Sequence, residues 1–149
     1  MNIRPNPIVV LEEREYISMT LETRADLKSW YHYTLLKRSH WMEIPRDIDK
    51  RGSHLSLIII DLWMTRNFDP YVSLMEYIRE TRRLNIPVVF VSALFPHVSQ
   101  QEWFKSTAQL IKYSDKHQMI VRQENLDIDY IFQQYLKRLP GGPIGFVIP

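Results

Sequence analysis

A chain of 149 residues, 45% of them apolar, has the size of one domain and enough hydrophobic material for one core. A formal net charge of +2 spread over scattered basic residues is too mild to mark a nucleic-acid surface. Without cysteine there is no disulfide frame, no thiolate zinc site and no cysteine nucleophile. Residues 1–7 lack the apolar centre of a signal peptide, and no apolar stretch approaches bilayer-spanning length. A cytoplasmic location and no membrane partner are therefore expected.

In chain order, Pro5 and Pro7 keep the entry extended, and Ile8-Val9-Val10-Leu11 reads as a first strand stopping at Glu12-Glu13. Residues 15–31 read as a helix, with Ile17, Leu21, Ala25, Leu27 and Trp30 as its apolar stripe, and its acidic start suits the positive end of the dipole. The second strand is ambiguous. Tyr31-His32-Tyr33-Thr34-Leu35-Leu36 and Trp41-Met42-Glu43-Ile44 both have strand composition, Pro45 closes the latter, and residues 46–51 fit one or two helical turns. A solid apolar run over 55–60 ends on Asp61, and Pro87-Val88-Val89-Phe90-Val91 ends on Ser92-Ala93. Such runs are the habit of parallel strands buried on both faces. Between them residues 71–84 carry Leu74, Met75 and Ile78 at helical spacing, with Asp69-Pro70 where a helix start wants them. Ser99 and Glu102 form a capping box for a helix over 99–113. Met119-Ile120-Val121 gives a fifth strand ending at Arg122, and Asp127 caps a last helix through Arg138. Pro140-Gly141-Gly142-Pro143 stops it, leaving an apolar tail that either folds back or begins a linker.

Four strands thus end in Glu12-Glu13, Asp61, Ser92 and Arg122. In an open α/β sheet the working crevice lies beyond the carboxyl ends of the strands. Three carboxylates there are a donor set for Mg²⁺, which prefers oxygen ligands. A neighbouring hydroxyl can bond a phosphoryl group on Asp61, and a cation can neutralise its charge. Equally, any α/β sheet places polar residues at strand ends because water is there. The residues alone leave both readings open.

Four segments together resemble the receiver domains of two-component response regulators: residues 8–13, residues 57–64, residues 86–93, and Met119-Ile120-Val121-Arg122 followed by Asn125-Leu126-Asp127. The resemblance runs from Ile8 to Arg138. It implies that Asp61 is a phospho-acceptor, that Glu12, Glu13 and Asp61 hold Mg²⁺, that Ser92 is the switch hydroxyl, and that Arg122 stands in for the family's lysine. It also implies a histidine kinase as donor, and dimerisation through the fourth helix, fifth strand and fifth helix, where Tyr113, Phe132 and Tyr135 are the anchors. Several positions depart from the family pattern. Arg122 offers a planar fork instead of a compact ammonium, and Gln123 replaces the usual proline. Glu12 and Glu13 are each a methylene longer than the usual aspartates, Thr65 replaces a common proline, and Met119 replaces an aromatic switch residue. These departures point to an atypical or pseudo-receiver.

Other families fit less well. Strands ending in aspartate with a Pro-Val-Val-Phe-Val run also resemble isochorismatase-like hydrolases, which need the cysteine this chain lacks. A haloacid-dehalogenase-type phosphatase needs a second aspartate where Trp63 stands. The five histidines show no metal-ligand spacing, and four glycines build no phosphate loop. Trp63 either caps the pocket, docks on a partner or packs beneath its loop.

The expected fold is therefore α/β, a three-layer (βα)₅ flavodoxin-like (CheY-like) sandwich around a five-stranded parallel sheet. Residues 1–139 form the receiver-like domain and residues 140–149 the tail or linker. The expected function is stand-alone signalling through a protein partner or homodimer, without catalysis. The alternatives are a working phospho-receiver using Mg²⁺, and the receiver part of a transcription regulator. No helix-turn-helix pattern follows residue 138, so nucleic acid is not an expected partner of this chain alone.

Overall fold

The structure is a computed structural model that describes residues 6–12, 15–37, 43–51, 55–62, 69–84, 86–92, 118–122 and 127–136. Its centre is a sheet of β1 (Asn6–Leu11), β2 (Tyr31–Leu36), β3 (Leu57–Asp61), β4 (Val88–Ser92) and β5 (Gln118–Arg122). The spatial order is β2-β1-β3-β4-β5, and every neighbouring pair is parallel. The three middle strands explain the solid apolar runs. From Ile8 to Leu11, Leu57 to Ile60 and Val88 to Val91, no residue is more than 1% exposed. Burying each such side chain contributes about 1.5–3 kcal/mol before the entropy of ordering it is charged against it.

The period of two along each strand divides these residues between two cores. Ile8, Val10, Leu57, Ile59, Val89 and Val91 pack with α1 (Tyr16–Thr23) and α4 (Ile128–Tyr135). Val9, Leu11, Ile58, Ile60, Val88 and Phe90 pack with α2 (Ile44–Arg51) and α3 (Asp69–Glu76) on the opposite face. Pairing keeps like with like: Ile8 is opposite Leu57, and Ile58 opposite Val88. A slip of one residue would exchange the two cores, so burial itself sets the register.

Several sequence expectations need correction. The first helix ends at Thr23 instead of Tyr31. Beyond it the chain tightens into a 3₁₀ turn over Ala25–Leu27, and Trp30 leaves the helical stripe to enter the core at the foot of β2. There the Trp30 carbonyl accepts both the backbone N–H of Asn6 (2.8 Å) and its side-chain amide (2.9 Å). The second strand is Tyr31–Leu36, paired with β1 from Asn6↔Tyr31 to Leu11↔Leu36. Ile44, the alternative strand's last residue, instead opens α2, with Pro45 in the first turn where a missing N–H breaks no helical bond. Ile44 and Ile48, one turn apart, both reach the core.

Asp69 and Pro70 do begin α3, Tyr71, Leu74 and Met75 form its buried stripe, and Ile78 continues that stripe beyond the helix. The α-helix stops at Glu76, however, and continues as a π turn over Tyr77–Thr81. Arg82 N–H bonds the Tyr77 carbonyl at 2.9 Å, and Leu84 N–H reaches the Ile78 carbonyl at 2.9 Å. Arg83 takes φ 53 to make that return, the conformation for which glycine is usual. In α4 the Asp127 cap is present, its carboxylate accepting the Tyr130 N–H at 3.2 Å, but the helix ends at Tyr135 and Leu136 is extended. The expected helix over 99–113 and the tail over 140–149 lie outside the described residues, as do Glu13, Trp41, Trp63 and Tyr113. Among the described residues no helix is long and apolar enough to cross a membrane.

Candidate functional site: the acidic corner at the strand exits

The strand order reverses direction between β1 and β3, since the chain leaves β1 for β2 on one side and then returns to β3 on the other. A switch point of this kind opens a crevice at the carboxyl ends. Glu12 follows Leu11, which pairs with Ile60, so Glu12 and Asp61 occupy corresponding positions on adjacent strands. Asp61 pairs with Val91, placing Ser92 one residue further along the next strand, and Ser92 pairs with Arg122. Backbone register therefore brings Glu12, Asp61, Ser92 and Arg122 to one edge of the sheet.

The two described carboxylates are buried and engaged. Glu12 is 0% exposed; its Oε2 accepts the N–H of Ile17 at 2.9 Å and its Oε1 that of Ser18 at 2.8 Å. These are first-turn N–H groups of α1, which have no partner within the helix. Glu15, at the N-cap, makes no side-chain cap bond and pairs instead with Lys37 at 3.2 Å. Glu12 thus serves as the anion at the positive end of α1. Asp61 is 4% exposed, and its Oδ1 accepts the hydroxyl of Tyr16 at 3.2 Å. Its backbone carbonyl lies 3.4 Å from the hydroxyl of Tyr71, a buried α3 residue set edge-on to Phe90.

Such engagement bears on the metal that the strand-end carboxylates suggest. Mg²⁺ demands near-octahedral oxygen geometry and carboxylate oxygens turned toward it. Here both oxygens of Glu12 face backbone amides, and one oxygen of Asp61 faces a phenol. Among the described residues no group of three His, Asp or Glu is placed to hold a metal ion. The described donors do not fit the ion.

No protein-family model matches the chain, and no curated protein matches it. Among solved structures, a response regulator CheY-like protein from Mesorhizobium loti superposes with a TM-score of 0.57 at 14% identity. The match covers 87% of this chain and 94% of that one. The chain has the receiver fold.

Other expected positions fare differently within that receiver fold. Phe132 is a correction: it is 0% exposed, its ring 4.9 Å from that of Tyr31, so the core uses it and it is no surface anchor. Helical periodicity marks a stripe without saying which way it faces, and here the stripe faces the sheet. Tyr135 is half-buried against the same core, and that burial pushes its phenol pKa upward. Among the described residues, the large apolar side chains that do stand out are Met19 on α1, 63% exposed, and Tyr130 on α4, 48% exposed. Arg24 ties these helices together, bonding Asp129 at 2.6 Å and Asp26 at 3.0 Å. Sequence reasoning missed Tyr16. Its one signal was a phenol four residues after a strand-exit glutamate, at the start of a helix.

Proposed function

We propose that the chain is an atypical receiver-like signalling domain that acts by binding a protein partner, without catalysis and without phosphorylation as its input. The observation that carries this reading is the engagement of Glu12 and Asp61 by α1 itself. Carboxylates that serve as internal fasteners are poor ligands for Mg²⁺, and a receiver needs that ion to accept a phosphoryl group. Residues 1–139 form the signalling domain and residues 140–149 are a tail or a linker. The protein works in the cytoplasm, as a homodimer or with another protein. Exposed Met19 and Tyr130, on helices joined by Arg24, give such a partner an apolar contact beside charged groups.

A second reading, a phospho-receiver using Asp61, is favoured by the register that gathers Glu12, Asp61, Ser92 and Arg122 at the switch point. Beryllofluoride, a phosphoryl mimic, separates the two. With Mg²⁺ present, the full chain is expected to show no saturable change in tryptophan fluorescence. A saturable change that requires both Mg²⁺ and Asp61, and is lost in Asp61→Asn, would establish the second reading and remove the first.

A further inference from the structure

We propose that Asp49, Tyr77 and Arg82 form a latch that holds the end of α3 in its π turn and, on opening, lets that end pass into ordinary α-helix. The latch lies on the α2 and α3 side of the sheet, so it goes beyond the partner-binding reading and does not depend on how Asp61 is used. One oxygen of Asp49, on α2, takes both partners. The Tyr77 hydroxyl donates to its Oδ1 at 2.5 Å, and Arg82 Nε lies 3.2 Å from the same atom. A phenol bond this short to a carboxylate is of the strong, charge-assisted kind, and it pushes the Tyr77 phenol pKa upward. The Tyr77 ring meanwhile packs against the core, which fixes where its hydroxyl points.

Tyr77 and Arg82 are five residues apart, and that spacing ties the latch to the turn. An α-helix advances about 100° per residue, which would set the two about 140° apart around the axis, on different faces. A π turn closes on the fifth residue instead, so they come to one face, as residues four apart do in an α-helix. The backbone shows that closure, with the Arg82 N–H meeting the Tyr77 carbonyl at 2.9 Å. π turns are rare, so a side-chain contact that only this turn permits is what selects it here. The hold is light. The side chains of Arg82 and Asp49 are 45% and 49% exposed, and half-exposed ion pairs contribute little. With Asp49 withdrawn, the Arg82 N–H moves to the Ile78 carbonyl, displacing the Leu84 N–H that meets it at 2.9 Å, and one residue passes into the return toward β4. The guanidinium then rotates away from α2. The open state thus presents an arginine and an aspartate that the closed state keeps paired.

The test is NMR of the full chain, reading scalar couplings across hydrogen bonds, which report directly which carbonyl each amide meets. Wild type should show the Arg82 amide coupled to the Tyr77 carbonyl. In Asp49→Ala, and again in Tyr77→Phe/Arg82→Ala, that coupling should be lost and one from the amide of position 82 to the Ile78 carbonyl should appear. Lys50→Ala trims an exposed neighbour of Asp49 on α2 and should keep the wild-type coupling. Retention of the Tyr77 coupling in a latch variant would overturn the latch, as would its loss in Lys50→Ala. Loss without the Ile78 coupling, which is fraying and not a second state, would overturn it too. Should Asp49→Ala not fold, the double variant, which leaves α2 untouched, decides.

Discussion

Shortening Glu12 to the residue a receiver would ordinarily carry should make this protein less stable. The side chain leaves the end of β1 and accepts two N–H groups from α1 at 2.9 and 2.8 Å, fully out of water. A hydrogen bond to a charged group contributes about 1.5–3 kcal/mol, and an orphaned buried amide carries its own desolvation cost. Glu12→Ala removes both bonds and orphans both amides, so a loss of about 3–5 kcal/mol is expected after water partly repairs the gap. Against a typical total of about 5–15 kcal/mol, that is a large share of the fold's stability. Glu12→Asp draws the carboxylate back by one methylene, so it can hold one amide well but not both, and about 1–3 kcal/mol should be lost. Urea denaturation followed by circular dichroism measures both, with an unchanged m value confirming that the native state is what weakened. A loss below about 1 kcal/mol for Glu12→Ala, or a neutral Glu12→Asp, would show that α1 is not fastened here and would refute the reasoning.

Three further outcomes follow from other parts of the fold. Phe132→Ala should cost about 3–5 kcal/mol in the same denaturation assay, because it empties a core site, and should leave the oligomeric state of the folded fraction unchanged in sedimentation. Arg83→Gly should stabilise the chain by about 0.5–1 kcal/mol, since the residue at φ 53 no longer places a Cβ against the following carbonyl; thermal melts should show a rise, and a fall would refute it. Desolvation and the hydrogen bond to Glu22 push the Tyr33 phenol from 10.0 up to about 12. Its folded pKa is raised, so its stabilising contribution is complete below the ordinary value and disappears as pH climbs from 10.0 toward about 12. Tyr33→Phe should flatten the alkaline fall of the melting temperature over that window, and an identical fall in both proteins would refute the assignment.

The sequence exposes most clearly what is buried on both sides. β1, β3 and β4 are uninterrupted apolar runs because helices cover each face, and no other role suits such runs at that length. The edge strand β2 is harder to read, since His32 is exposed while Tyr33, Thr34 and Leu35 are half-covered, leaving neither a solid run nor a clean alternation. Trp30 misled the helical reading of residues 15–31: its spacing fits the α1 stripe, but it reaches the same core from a turn. The π turn at Tyr77–Thr81 likewise has no composition signal, because one added residue per turn changes which carbonyl each amide meets and not which residues are apolar.

At the site, strand-end position was legible and the use of the carboxylates was not. Counting apolar runs locates Glu12 and Asp61, because the carboxyl end of a buried strand is where the chain first meets polar surroundings. What each carboxylate binds depends on reach. A glutamate carries one more methylene than an aspartate, and from Glu12 that length turns the carboxylate back onto the amides of Ile17 and Ser18. The phenol of Tyr16 spans the remaining distance to Asp61 from the same turn. The longer acidic side chain, in the sequence only a departure from the usual aspartate, is what lets the carboxylate reach both amides. The positive end of α1 compensates the carboxylate of Glu12, and the acidic corner is a joint between β1, β3 and α1.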